Sequence, residues 1–208
     1  DTIRGGADND LIYGNTGNDL LYGDTSNSTN DGADTIYGGL GGDTIYGNDG
    51  NNYINAKLGN NYVNGLEGDD YIIQEENSQD GILIGGLGED TIDYSQTLGG
   101  KIISIDYSAL YSGIEKTIDG TAEKIFVVNK FQGHDDIIGF ENIVGSKAND
   151  VITGNNEKNT LRGATGDDIL YGLGGNDYLG ADNGRDSLYG GDGNDYLVVE
   201  YNYQSPYF

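Results

Sequence analysis

The sequence predicts an all-β fold in which short parallel strands stack into a two-sided roll. Three observations predict it. A nine-residue pattern, G-G-x-G-x-D-x-U-x with U a large aliphatic residue, recurs along the chain. Its first six positions are rich in Gly, Asn and Asp, which tolerate positive φ and form turns. Its last three place one apolar residue between two others, as in a short strand with one side chain facing inward. Two repeats then complete one coil with a strand on each side, and stacked coils form two parallel sheets around a thin aliphatic core.

The copies justify the elements in order. Gly14 to Tyr22 is a full copy, and the next, from Gly23, carries an extra loop at Ser26 to Asp31 that is expected to bulge outward. Full copies follow at Gly38 to Tyr46, Gly65 to Ile73 and Gly85 to Asp93; Gln74 to Ile84 is irregular, with Gly81 where an Asp belongs. The inward positions are Ile12, Leu21, Ile36, Ile45, Ile54, Val63, Ile72 and Ile92, then Ile152, Leu161, Leu170, Leu179, Leu188 and Leu197. From about Tyr94 to Phe140 the pattern vanishes. Lys101 to Tyr107 and Glu123 to Asn129 read there as longer, more apolar strands of an antiparallel excursion beside the roll. The pattern resumes through Gly139 to Ser146, with copies at Gly163 to Tyr171 and Gly190 to Val198. The expected organisation is a first roll block over 1–93, a β-strand insert over 94–140, a second block over 141–198 and a tail over 199–208.

Such a core is weak. Each repeat buries about one aliphatic side chain, roughly 1.5–3 kcal/mol, whereas ordering nine residues costs on the order of 9–18 kcal/mol of backbone entropy. The charge adds to the difficulty: 35 acidic residues against 10 basic ones give −25 over 208 residues. That charge repels nucleic acids and anionic lipid, so neither a nucleic-acid partner nor membrane insertion is expected. With no Cys and one His, thiolate and His-rich metal sites and the common catalytic triads cannot be assembled.

The sixth-position Asp suggests the missing stabilisation. Ca²⁺ takes six to eight oxygen ligands from carboxylates and carbonyls, and a Gly-rich turn lets carbonyls converge. Residues 18 apart lie one coil apart on the same edge, as do Asp150 and Asp168, Asp168 and Asp186, Asp177 and Asp195, Asn52 and Asp70, and Asp43 and Asn61. One ion can be shared by two stacked turns. Roughly ten shared Ca²⁺ ions would bring about +20 against the negative charge; without them the closely spaced carboxylates repel.

The pattern resembles the calcium-binding nonapeptide of the RTX (repeats-in-toxin) family, over about three quarters of the chain. The resemblance implies a right-handed parallel β-roll. It also implies that each ion takes carbonyls of positions two and four and the Asp of one turn, with carbonyls of positions one and three and the Asp of the turn one coil later. Carried over, Ser146, Ala148 and Asp150 would meet Gly163, Thr165 and Asp168, and Ala164, Gly166 and Asp168 would meet Ala181, Asn183 and Asp186. Leu173, Gly175 and Asp177 would meet Gly190, Asp192 and Asp195, and Asn15, Gly17 and Asp19 would meet Gly38, Leu40 and Asp43. The remaining candidate metal ligands are Asp10, Asp34, Gly39, Gly41, Asn52, Asn61, Gly65, Glu67, Asp70, Asp90, Asn159, Gly172 and Gly174. Asn52, Asn61 and Asn159 replace the Asp, so their sites are expected to bind more weakly or stay empty. Asp8 stands where Gly is expected.

No enzyme is expected. His134, beside Asp135 and Asp136, reads as a solvated loop residue, the H-E-x-x-H motif is absent, and the few basic residues do not cluster. Tyr13, Tyr22, Tyr37, Tyr46, Tyr171 and Tyr189 flank the inward position on one side, and Tyr53, Tyr62, Tyr71, Tyr178 and Tyr196 on the other. They are expected to form outward ladders by cross-strand stacking; sugar binding or packing against neighbouring copies are the sharper readings. The chain opens in mid-pattern at Asp1 without an initiating Met, and a piece of a longer protein is expected. The resemblance implies a secreted bacterial parent, extracellular or at the cell surface, exported by type I secretion. An adhesin, surface-layer protein or toxin is the first reading, and a carbohydrate-binding or targeting module of a secreted lyase, epimerase or protease the alternative.

Overall fold

Short strands with one inward residue each can bury that residue only by stacking, and the computed structural model shows such a stack. It describes residues 1–24, 32–75, 81–98 and 139–199, together with the strand backbones at 102–104, 115–118, 121–124, 126–129 and 134–138. The chain is all-β, with no helix among the described residues.

One sheet stacks Thr2–Arg4, Leu20–Tyr22, Thr44–Asp49, Tyr62–Glu67 and Gly81–Leu87 in parallel. It continues through His134–Ile138, Phe126–Asn129 and Ile102–Ser104 to Val151–Thr153, Ile169–Gly174 and Ser187–Asp192. Within that sheet Phe126–Asn129 runs antiparallel to both of its neighbours, while Gly81–Leu87 pairs in parallel with His134–Ile138. The opposite sheet is parallel throughout and unbroken: Leu11–Thr16, Thr35–Leu40, Tyr53–Leu58, Tyr71–Ile73, Thr91–Asp93, Asn142–Val144, Thr160–Arg162, Tyr178–Ala181 and Tyr196–Val199. Ile92 there lies directly beside Ile143, so the apolar row passes from the residues before 94 to those after 140 without a gap. Glu115–Ile118 and Thr121–Lys124 form a separate antiparallel pair.

The core is the row of inward aliphatics. Leu21, Ile45, Val63 and Leu83 stand in register in one sheet, and Ile36, Ile54, Ile72 and Ile92 in the other, all fully buried. Tyr94 and Phe140, at the two ends of the segment without repeats, belong to the same core. Leu197 keeps its register with Leu179 but is 44% exposed, at the end of the described stack. The one-strand spacing also suits the aromatic ladders. Tyr13 stacks on Tyr37 at 5.0 Å, Tyr22 on Tyr46 at 5.2 Å and Tyr171 on Tyr189 at 4.9 Å. The expected outward loop at Ser26 to Asp31 lies outside the described residues, as do the outer parts of the strand expected at Lys101 to Tyr107.

Candidate metal centres along the roll edges

The turns are built from alternating backbone handedness. Second positions take the left-handed region at Asn15 (φ 73°), Asn48 (72°), Leu66 (82°) and Leu173 (77°). Fourth positions do so at Gly17 (125°) and Gly166 (134°). Asp8 adopts φ 71° at a fourth position, which Asp tolerates better than most residues. First positions face a different demand: a side chain on Gly172 would overlap both Asp177 Oδ2 and the carbonyl of Gly190 in the next coil. The glycine thus admits a carboxylate and a carbonyl to the same small space.

The sixth-position side chains form a ladder along each edge. On one edge the Asp10 N–H donates to Asp34 Oδ1 (2.8 Å), Asp34 to Asn52 (2.9 Å), Asn52 to Asp70 (2.8 Å) and Asp70 to Asp90 (2.8 Å). That ladder continues from Asp90 to Glu141 Oε2 (2.9 Å), then from Asn159 to Asp177 (2.9 Å) and Asp177 to Asp195 (3.1 Å). On the other edge Asp19 donates to Asp43 (2.9 Å), Asp43 to Asn61 (2.9 Å), Asp150 to Asp168 (2.8 Å) and Asp168 to Asp186 (3.0 Å). Every pairing of stacked turns read from the 18-residue spacing is therefore brought together.

In Asp34, Asp43, Asp70, Asp90, Asp168, Asp177 and Asp186 the ladder N–H bond uses one oxygen, and in Asp19 the N-terminal ammonium does. The second oxygen is buried and has no hydrogen-bond partner at Asp10, Asp19, Asp34, Asp43, Asp70, Asp90, Asp168, Asp177 and Asp186. A buried carboxylate oxygen without a partner is costly, and nine of them recur at one register position. Burial pushes the carboxyls of Asp70, Asp90 and Asp168 up to about 7, against a lowering backbone N–H bond at each and, at Asp70, a further lowering interaction with the Asn52 side chain; neighbouring acids, Asp69 beside Asp70, add to the rise. Burial raises Asp34, Asp43 and Asp177 as well. Charges one strand spacing apart, about 4.8 Å, repel by roughly 3–4 kcal/mol at an effective dielectric of 20.

A hard cation fits this arrangement. No group of three or more His, Asp or Glu converges among the described residues, so most ligands must be neutral oxygens, here the turn carbonyls. Ca²⁺ accepts that mixture of carbonyls and a few carboxylates, whereas zinc prefers nitrogen and sulfur ligands. Residues 1–29, 28–63, 46–73, 138–170, 153–188 and 171–199 match the RTX calcium-binding nonapeptide repeat, together more than half of the chain. The chain belongs to the RTX calcium-binding repeat family. No curated protein matches it. RTX repeats bind Ca²⁺, act as structural modules and are typical of secreted bacterial proteins.

Two features of the RTX edges escaped the sequence reading. Glu141 occupies a rung, and burial raises its carboxyl pKa. The signal was its place 18 residues before Asn159, hidden because Glu stands where Asp was sought. A second, exposed ladder runs through the fifth positions, with side chains of Asn18, Asn51, Asp69, Asn149, Asp167 and Asn176 accepting from backbone N–H groups of the next coil at 2.8–2.9 Å. The nonapeptide leaves that position open, yet it is Asn or Asp in most copies.

Proposed function

We propose that the chain is a calcium-loaded β-roll segment that folds after secretion and serves as a rigid part of an extracellular adhesin, surface-layer protein or toxin. The observation that carries this reading is the row of buried, partnerless carboxylate oxygens at one register position on both edges. About ten ions, each held between stacked turns by the carbonyl and carboxylate sets named above, would offset most of the −25 charge. Bound Ca²⁺ supplies positive charge and oxygen coordination; the chain supplies the turn geometry and the aliphatic row that stacks it.

In the same reading residues 1–93 and 141–198 are two roll blocks, 94–140 an insert containing antiparallel strands, and 199–208 a tail. The direct pairing of Thr91–Asp93 with Asn142–Val144 supports a continuous rod across the insert. The module works without catalysis. A carbohydrate-binding or targeting role in a secreted enzyme is the second reading, favoured by the groove of about 310 Å³ beside Tyr13, Tyr37, Leu40 and Leu58. Counting bound ions by native mass spectrometry of the calcium-saturated chain tests the first reading: several ions are expected, and none would refute it. A glycan array on the loaded protein tests the second.

A further inference from the structure

The coil at residues 47–64 differs from its neighbours. It contains one acid, Asp49, and one base, Lys57, so it is neutral within a chain of −25. Its two sixth positions, one on each edge, are Asn52 and Asn61. Both keep the ladder bond, with Oδ1 accepting from the N–H of Asp34 and Asp43 at 2.9 Å. Where the Asp turns leave a partnerless oxygen, these turns carry an NH₂ group. Asn52 Nδ2 donates to the carbonyls of Gly50 at 2.8 Å and Asn48 at 3.4 Å. Asn61 Nδ2 donates to the carbonyls of Ala56 at 3.2 Å and Lys57 at 3.4 Å. Those carbonyls belong to the turns that a cation would otherwise draw together. On the sheet face beside the turn, Asn55 and Lys57 both donate to Glu75 Oε1, at 3.1 and 2.6 Å, so the local charges are already paired.

We propose that the side-chain amides of Asn52 and Asn61 take the place of calcium in this coil. The amide hydrogens satisfy the turn carbonyls, so the coil carries no ion of its own at either edge. The row of ions on each edge is thereby interrupted at the same level of the stack, and this coil keeps its turn geometry independently of calcium. Replacing either Asn by Asp preserves the Oδ1 bond but sets a carboxylate oxygen against carbonyl oxygens. That repulsion creates a demand for a cation. The inference rests on the calcium reading above and deepens it.

The test compares the full chain with the N52D/N61D and N52A/N61A variants, using calcium itself as the probe and native mass spectrometry to count ions. N52D/N61D is expected to hold about two more ions than wild type and to need more calcium to fold. N52A/N61A is expected to keep the wild-type count while its loaded form unfolds at lower urea. An unchanged count in N52D/N61D, or a lower count in N52A/N61A, would overturn the inference, the latter by showing that the Asn oxygens ligate. A wild-type chain that binds no calcium overturns the underlying reading as well. If N52D/N61D fails to fold at any calcium concentration, the alanine variant still decides whether the amides or ions hold the coil.

Discussion

In the proposed reading Asp168 serves two ions, one shared with Asp150 and one with Asp186, and replacing it by Ala removes both contributions at once. The side chain is 1% exposed, and its Oδ1 accepts from the Asp150 N–H at 2.8 Å. Losing that acceptor leaves a buried donor unpaired, at about 1–3 kcal/mol. In calcium the larger loss is the ions: a site loaded at a hundredfold excess over its Kd contributes about 2.7 kcal/mol, so two contribute roughly 5 kcal/mol. Asn159→Ala is the matched control. It removes the Nδ2 bond to the Glu141 carbonyl at 3.2 Å and the Oδ1 bond from the Asn155 N–H at 2.8 Å. These are worth about 1 kcal/mol each, and neither acts through an ion. Calcium titrations of folding followed by far-ultraviolet circular dichroism at pH 7.5 give the two midpoints. Asp168→Ala is expected to raise the midpoint about tenfold or more, and Asn159→Ala about twofold. Equal midpoints would show that Asp168 is not a shared ligand.

Two further predictions follow from burial. Asp70 binds protons more readily folded than unfolded, its pKa rising from 3.8 to about 7, so the calcium-free roll loses stability as pH rises from about 4 to 7. At pH 8 this amounts to about 4 kcal/mol for Asp70. With calcium bound the carboxylates are held ionised and the sign reverses, stability falling as pH drops. Urea midpoints at pH 5 and pH 8, measured in excluded osmolyte for the calcium-stripped protein, are expected to move in opposite directions with and without calcium; movement in the same direction would contradict carboxylate ligation. Leu170 is fully buried, whereas Leu197 is 44% exposed. Leu170→Ala is expected to cost about 3–5 kcal/mol in saturating calcium and Leu197→Ala about 1 kcal/mol, by urea unfolding; equal losses would argue against the single aliphatic row.

Most of the roll was legible because its information is periodic. The inward aliphatic, the turn residues and the 18-residue spacing each repeat, so stacked partners such as Asp150 and Asp168 follow from counting. Side-chain chemistry inside the turn was less legible. Asn52 reads as a weakened ligand until its Nδ2 is seen to donate to the Gly50 and Asn48 carbonyls. Glu141 was missed because one extra methylene lets it reach the same N–H from a copy whose glycines have drifted. Leu83 was passed over because its copy is irregular in sequence, although its strand pairs in register with Val63. The direct contact of Ile92 with Ile143 is non-local, and no spacing rule spans the residues between them.

The central claim is that calcium completes this fold, and removing it is the most direct test. In chelator at pH 7.5 the chain is expected to give the circular dichroism of a largely unfolded polypeptide, because the aliphatic row alone does not offset the ordering entropy and the repulsion of −25 charges. Millimolar Ca²⁺ is expected to restore the β signal and a cooperative thermal transition. A chelated sample that keeps its full β signal and its thermal transition would contradict the account.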